Sequence, residues 1–275
     1  MSLRDKSSYV LHRYLRVPYA LNVVEFQSPK KPRATFVLLH GVGNSAHAWD
    51  DVIKEMPRDV RIIGIDLLGF GESPKPRWLQ YNAKTQARSV AVTILGLKLT
   101  QQPILVGHSM GSLVAVEVAK RYPFAVKRLV LCSPPFYRPL HSNDIKQQQW
   151  QDKTLRSLYK IAVKHPEELQ KMAPVAVKLG IANKVMKINE DTASSYVASL
   201  EAAIINQTSL EDVATLRLPI DIFYGCFDPV VVKKYIVELE KRHSNIATRQ
   251  VFAAHEITGK YVTALAKHLA TLRSE

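Results

Sequence analysis

The chain has 275 residues, 47% of them hydrophobic, so it can bury a large core, yet no stretch approaches the ~20 consecutive apolar residues that span a membrane. Its start lacks the apolar segment typical of a secretory signal, and its two cysteines form neither a metal-binding spacing nor a disulfide framework, so we expect a cytoplasmic protein. The net charge of +14 is dispersed and accompanies no RNA- or DNA-binding motif, so we expect a basic solvated surface and no nucleic-acid partner.

Short apolar, β-branched runs predict buried strands, and the amphipathic runs between them predict helices. In chain order these are two early strands within 8–27, a strand at 35–39, a helix from about 49, a strand at 60–65, a helix over 83–100 and a strand at 104–106. Further strands are predicted before residue 133, near 219–225 and at 248–252, and a last helix over 258–272. This alternation predicts an α/β fold with a mostly parallel central sheet covered by helices on both faces.

The stretch between Phe136 and Leu216 interrupts the alternation because it contains no convincing strand. Apolar residues recur there at helical spacing, on two faces: Leu155, Leu158, Tyr159 and Ala162, and then Ala193, Tyr196, Val197, Leu200 and Ile204. We therefore expect a first core part over 1–135, a helical cap insertion over 136–216 and a second core part over 217–275. An insertion at this strand end would lie over the edge of the sheet where ligands bind.

Ser109 lies at a predicted corner between a strand and a helix. The stretch GHSMG places glycines at positions 107 and 111, two residues to either side of the serine. A sharp corner forces unfavourable backbone angles on the residue at its tip, and small neighbours are needed where strand and helix nearly collide. The pattern therefore predicts a serine presented at the tip of a tight turn.

A serine hydroxyl is a poor nucleophile unless a base takes its proton and a third group orients that base. Asp228 follows a predicted strand and precedes a proline, and His255 follows the last predicted strand. Because parallel strands end at the same edge of a sheet, both side chains are expected near Ser109. The chain order Ser, Asp, His is the order expected of hydrolases with a nucleophile elbow.

On these residues the chain resembles the α/β-hydrolase superfamily, in its branch of serine hydrolases with a helical cap. The resemblance covers nearly all of the chain and rests on His40-Gly41, the stretch DLLGFGES at 66–73, the stretch GHSMG, Asp228 and His255. It implies an esterase-like enzyme without a cofactor or metal. Its substrate would be a small uncharged acyl compound, namely an ester, thioester or lactone.

The resemblance also implies a role for each site residue. Ser109 would be the nucleophile, His255 the general base and acid, and Asp228 the carboxylate that orients the histidine. The backbone N–H groups of Val42 and Met110 would form the oxyanion hole.

Neighbouring polar residues are interpreted as structural. Asp66 fits loop architecture, Asp221 begins its strand and so lies at the wrong edge, and His40 is expected to hydrogen-bond its loop. His108 is expected to point away from the tip of the turn, and Glu256 to be solvated.

Two alternatives remain open. The same triad serves carbon–carbon bond hydrolases, acyltransferases and cofactor-free perhydrolases, because the pocket selects the leaving group and the acyl acceptor. A non-catalytic ligand-binding protein on the same fold is the other alternative, which loss of a triad member would favour. A serine at the tip argues against haloalkane dehalogenase and epoxide hydrolase chemistry, since those members of the fold have aspartate there.

Overall fold

The computed structural model describes residues 10–138, 150–164 and 190–273. Seven strands form one sheet: β1 (Val23–Gln27), β2 (Thr35–Leu39), β3 (Arg61–Ile65), β4 (Ile104–His108), β5 (Arg128–Cys132), β6 (Ile220–Gly225) and β7 (Ile246–Val251). Their order is β1-β3-β2-β4-β5-β6-β7, with β1 antiparallel to β3 and every other pair parallel. The carboxyl ends of the six parallel strands therefore lie along one edge.

The helices connect these strands and cover the sheet. They are α1 (Asp50–Lys54), α2 (Ala83–Gly96), α3 (Met110–Arg121), α4 (Trp150–Lys164), α5 (Glu190–Ser199), α6 (Ser209–Thr215), α7 (Lys233–Arg242) and α8 (Lys260–Leu269). Successive side chains of β2 enter different apolar clusters, with Val37 and Leu39 in one and Phe36 and Leu38 in the other. Because side chains alternate across a strand, these clusters are the two faces of the sheet, and both are buried. The predicted fold class is confirmed.

The prediction of two early strands is wrong. Only β1 forms a strand in the described part of residues 8–27, and Val10–Tyr14 form a single π-helical turn. Two backbone hydrogen bonds form within this segment. The N–H groups of Leu15 and Val17 donate to the carbonyls of Val10 and Leu11 at 3.2 Å each. Local hydrogen bonds therefore replace the strand pairing that the apolar residues suggested.

The secondary-structure elements described between β5 and β6 are helical, as predicted. A π-helical turn, Leu200–Ile205, continues α5 and buries Leu200 and Ile204 in the core, while Leu155 and Tyr196 pack against the same core. The side chains of Leu158, Tyr159, Ala162 and Ala193 lie outside the described part of the chain. The division into two core parts and a cap stays a prediction. Within the described ranges, no helix combines the length and the apolar character needed to cross a bilayer.

A buried ion pair joins separate segments of this stretch to one another. Arg156 Nε donates to Asp152 Oδ1 at 2.7 Å, and both side chains are almost fully buried. The Arg156 guanidinium also donates to the backbone carbonyls of Arg138 and Ile205. The N–H of Arg138 donates to Asp152 Oδ2 at 3.0 Å. The buried charges are thus paired and hydrogen-bonded, which is the condition under which such pairs are tolerated.

Candidate active site

Ser109 lies at the corner between β4 and α3 with a φ of 52° and a ψ of −119°, a conformation that residues with a Cβ rarely adopt. The flanking glycines permit this corner. A Cβ at Gly107 would lie 2.4 Å from the carbonyl oxygen of Gly111, and a Cβ at Gly111 would lie 2.3 Å from that of Leu39. Both contacts are with backbone atoms, which cannot move aside as a flexible side chain can, so the spacing of the two glycines follows from the sharpness of the turn.

The structure brings together the three side chains that the sequence singles out. Ser109 Oγ lies 3.1 Å from His255 Nε2, and His255 Nδ1 lies 2.9 and 3.0 Å from the two carboxylate oxygens of Asp228. Ser109 follows β4, Asp228 follows β6 and His255 follows β7, so the ends of parallel strands supply all three. Each is buried, with 7%, 3% and 4% of its surface exposed for Ser109, Asp228 and His255 respectively.

The Asp228 carboxylate is held by several donors besides the histidine. Its Oδ1 accepts from the N–H groups of Val230 at 2.8 Å and Val231 at 3.3 Å, and the side chain of Ser133 bonds to it as well. Burial by itself would raise the pKa of Asp228, but the charge of His255 and these hydrogen bonds outweigh it and lower the pKa. Asp228 is therefore an ionised carboxylate with a fixed orientation.

The orientation of Asp228 determines which nitrogen of His255 is available to Ser109. Nδ1–H donates to the carboxylate, which leaves Nε2 facing the serine hydroxyl as an acceptor. Burial would lower the pKa of His255, but the charge of Asp228, its hydrogen bond and the charge of Glu256 raise it above the ordinary value of 6.5. A raised pKa makes the imidazole a better proton acceptor once it is neutral.

Two further histidines hold the backbone around the site. His108 Nε2 donates to the carbonyl of His255 at 3.0 Å, and the two imidazole rings lie 5.2 Å apart. His40 Nε2 accepts from the N–H of Leu67 at 2.9 Å, so its Nδ1–H donates to the carbonyl of Gly41 at 2.7 Å. Burial lowers the pKa of His40 to about 4 and that of His108 to about 3, so both are neutral at ordinary pH. The expectation that His40 bonds its own loop is confirmed.

The backbone N–H groups of Val42 and Met110 belong to the two segments beside Ser109. Gly41 packs against the serine, since a Cβ on that glycine would lie 3.3 Å from Ser109 Cβ. Met110 is the first residue of α3, so its N–H precedes the helical hydrogen bonds and belongs to the positive end of the helix. Among the described residues, neither N–H has a protein acceptor. Both remain available to bind an anionic oxygen.

The expectation that Glu256 is solvated is wrong. Only 7% of its surface is exposed, and its carboxylate contributes to the raised pKa of both His255 and Tyr196. Burial is the larger cause for Tyr196, whose pKa rises to about 12. Tyr196 belongs to the inserted helix α5, and the sequence next to His255 contains no signal of this interaction with a distant segment.

The two competing aspartates have structural partners. Asp66 Oδ1 accepts from the N–H of Ala46 at 2.7 Å, and Oδ2 accepts from that of Glu72 at 2.9 Å, so it organises two loops. Asp221, at the start of β6, pairs with Arg128 at 2.6 Å, at the opposite edge of the sheet from Ser109. Within the described part of the chain, no group of three or more His, Cys, Asp or Glu residues is placed to hold a metal ion.

Sequence comparison relates the chain to known hydrolases. A pimeloyl-[acyl-carrier protein] methyl ester esterase of Pseudoalteromonas atlantica is 31% identical over 225 residues, which is 76% of this chain and 83% of that protein. A probable lysophospholipase of Arabidopsis thaliana, BODYGUARD 4, is 34% identical over 112 residues. That match covers 40% of this chain, and the chain spans only about a quarter (27%) of the plant protein. These relatives support ester hydrolysis in general.

Solved structures agree with the fold. A bromoperoxidase from Bacillus anthracis matches 90% of this chain and 93% of its own with a TM-score of 0.72 at 18% identity. An esterase from Exiguobacterium antarcticum matches 91% of this chain and 94% of its own with a TM-score of 0.71 at 16% identity. The family model of the alpha/beta hydrolase fold matches residues 34–173, and with the esterase relative it shows that the chain belongs to the alpha/beta hydrolase fold family.

Proposed function

We propose that the chain is a serine hydrolase that cleaves a small uncharged ester, thioester or lactone through an acyl-enzyme intermediate. Ser109 is the nucleophile, His255 the general base and acid, and Asp228 the carboxylate that orients and stabilises the histidine. The observation that carries the proposal is the continuous set of contacts from Ser109 Oγ to His255 at 3.1 Å and from His255 to Asp228 at 2.9 Å.

In the first half of the reaction, His255 Nε2 takes the hydroxyl proton while Ser109 Oγ forms a bond to the acyl carbon. The ionised Asp228 stabilises the imidazolium that results. Negative charge moves to the carbonyl oxygen, where the N–H groups of Val42 and Met110 stabilise it. The imidazolium then gives its proton to the leaving alcohol, thiol or lactone oxygen, and the bond from that atom to the acyl carbon breaks.

In the second half, neutral His255 takes a proton from water, and the water oxygen attacks the acyl carbon. The same N–H groups stabilise the second tetrahedral intermediate. Ser109 Oγ leaves as its bond to the acyl carbon breaks and regains a proton from His255. The chain returns to its starting state without a metal or cofactor.

An uncharged substrate follows from the character of the surroundings. The reacting side chains are buried, so a charged acyl group would lose its hydration there. In this proposal the helical insertion is a cap, since the charge of Glu256, the neighbour of His255 in the chain, acts on Tyr196 of α5. A roof of this kind excludes water and limits the length of the acyl chain.

A fluorophosphonate probe tests the nucleophile, because it reacts only with an activated serine. The wild type and a Ser112→Ala control should be labelled, whereas Ser109→Ala should not. Ser112 is a suitable control because its Oγ is buried three residues away and donates to the carbonyl of Gly107 at 2.8 Å. Labelling that persists in Ser109→Ala would place the nucleophile elsewhere.

A series of p-nitrophenyl esters tests the substrate class. We expect turnover of short and medium acyl chains and a decline for long ones. A maximum with long chains at an oil–water interface would contradict the proposed substrate. Labelled Ser109 without any ester hydrolysis would instead favour carbon–carbon bond hydrolysis or acyl transfer, and an unlabelled wild type would favour a ligand-binding protein.

A further inference from the structure

The N-terminal turn and the residues after it concentrate exposed apolar side chains. Five of the ten large hydrophobic residues exposed in the described part of the chain fall within residues 10–17, VLHRYLRV. They are Val10 at 49%, Leu11 at 40%, Tyr14 at 68%, Leu15 at 67% and Val17 at 39%. Single exposed apolar residues are ordinary on a protein surface, but a contiguous group marks an interaction site.

Cations line two adjoining grooves beside this turn. One groove, of about 550 Å³, lies between the turn and residues 78–89, and the other, of about 470 Å³, is bordered by residues 120–122. Lys84 and Arg88 line both grooves. The cations lining one or both are Arg13, Arg16, Lys84, Arg88, Lys120 and Arg121. No lining residue of either groove is acidic, so the region attracts anions.

Part of this positive charge has no carboxylate partner within the chain. Lys120 pairs with Asp212 at 2.6 Å, whereas Arg16, Lys84 and Arg88 form no ion pair with a carboxylate of the described residues. Arg88 Nη2 instead donates to the carbonyl of Arg16 at 2.9 Å, which joins the turn to α2. Arg16 and Val17 also line the first groove together with Lys84 and Arg88, so the exposed segment 10–17 adjoins the unpaired cations.

The combination of charge and apolar exposure indicates the kind of partner. A nucleic acid would stack its bases on the aromatic rings that line the first groove, but there Tyr19 is already stacked on His12 at 3.6 Å, and Arg13 lies over Trp78 at 5.6 Å. An acidic protein would account for the cations but not for the neighbouring exposed leucine and valine side chains. Apolar side chains next to cations are the pattern of a segment that lies in the interface of a lipid bilayer.

We propose that residues 10–17 and the adjoining cationic grooves bind the surface of a bilayer that contains anionic phospholipids. The leucine, valine and tyrosine side chains enter the boundary between headgroups and acyl chains, and Arg16, Lys84 and Arg88 bind the lipid phosphates. Neither the apolar side chains nor the cations would hold the chain on a membrane alone, since stable attachment to a membrane surface takes two such contributions. The proposal is independent of the reaction at Ser109.

Sedimentation of the full chain with vesicles tests this proposal. We expect binding to vesicles of phosphatidylcholine mixed with phosphatidylglycerol, weak binding to phosphatidylcholine alone, and loss of binding as salt is raised. Removing two cations by Arg16→Gln with Lys84→Gln should weaken binding to anionic vesicles roughly 20- to 30-fold. Leu15→Ser should weaken it about tenfold, because an apolar contact is lost.

The matched control is Lys241→Gln with Arg242→Gln, which removes the same charge from exposed positions on α7, a helix that packs against β7. It should bind anionic vesicles as the wild type does. Equal weakening by the two double variants would mean general attraction by net charge and would overturn the proposal. The proposal would also be overturned if the wild-type protein does not bind anionic vesicles but binds soluble polyglutamate through the same cations. Thermal unfolding of each variant shows that the fold is retained.

Discussion

Comparing Ser109→Gly with Ser109→Ala separates the loss of the serine hydroxyl from the energetic cost of the backbone conformation at the elbow. Both changes remove the hydroxyl that faces His255 at 3.1 Å, so they lose the same hydrogen bond. Only glycine relieves the φ of 52° and ψ of −119°, a conformation that costs a residue with a Cβ about 1–3 kcal/mol. Glycine loses about 0.5–1 kcal/mol through its greater freedom in the unfolded chain. We therefore expect Ser109→Gly to be more stable than Ser109→Ala by about 1 kcal/mol.

Urea unfolding of the two variants measures this difference. Ser89 provides the control, because it is buried inside α2, where the helical backbone favours alanine over glycine by about 1 kcal/mol. The order of stability should therefore reverse between the two positions, and neither Ser109 variant should react with the fluorophosphonate probe. If the Ser109→Ala variant is at least as stable as the Ser109→Gly variant, the elbow stores no backbone strain, which would refute the expected difference.

Three other changes test the remaining contacts. Asp228→Asn should lower kcat/KM by about 10⁴, the loss that the corresponding change causes in serine proteases, and near-normal turnover would exclude it as the orienting acid. The wild-type kcat/KM should fall as pH decreases through a His255 pKa above 6.5, because protonated imidazole cannot accept the serine proton. Glu256→Gln removes a negative charge that raises this pKa, so the acid limb of the pH profile should move to lower pH. An unchanged acid limb would show that Glu256 does not affect the pKa of His255. Gly111→Ala sets a Cβ 2.3 Å from the carbonyl oxygen of Leu39 and should cost about 3 kcal/mol or more in urea unfolding, whereas wild-type stability would contradict the close approach of strand and helix.

Much of the fold and the arrangement of the candidate triad was predictable because the signals are local. The β-branched runs identify β2, β3, β4 and β5 without reference to the rest of the chain. Glycines at positions 107 and 111 indicate a close contact between the strand before Ser109 and the helix after it. The carboxyl ends of parallel strands lie at the same edge of a sheet, which brings Ser109, Asp228 and His255 together although they are far apart in sequence.

Other features depend on contacts between distant segments and leave no local signal. Ser133 looks like an ordinary loop serine before two prolines, and its hydroxyl partners, Asp228 and Tyr261, both come from distant parts of the chain. Glu256 looks like a surface residue in the sequence, yet it is buried and its charge raises the pKa of Tyr196 from the insertion. The apolar residues 10–17 suggested a strand, but no edge of the sheet receives them.

Arg156 joins the two ends of the insertion, since it binds the carbonyl of Arg138 before it and that of Ile205 after it. The segment before α4 and the segment after α5 are therefore held together through one buried side chain. Loss of that guanidinium would release both carbonyls and leave the buried Asp152 carboxylate without its charge partner.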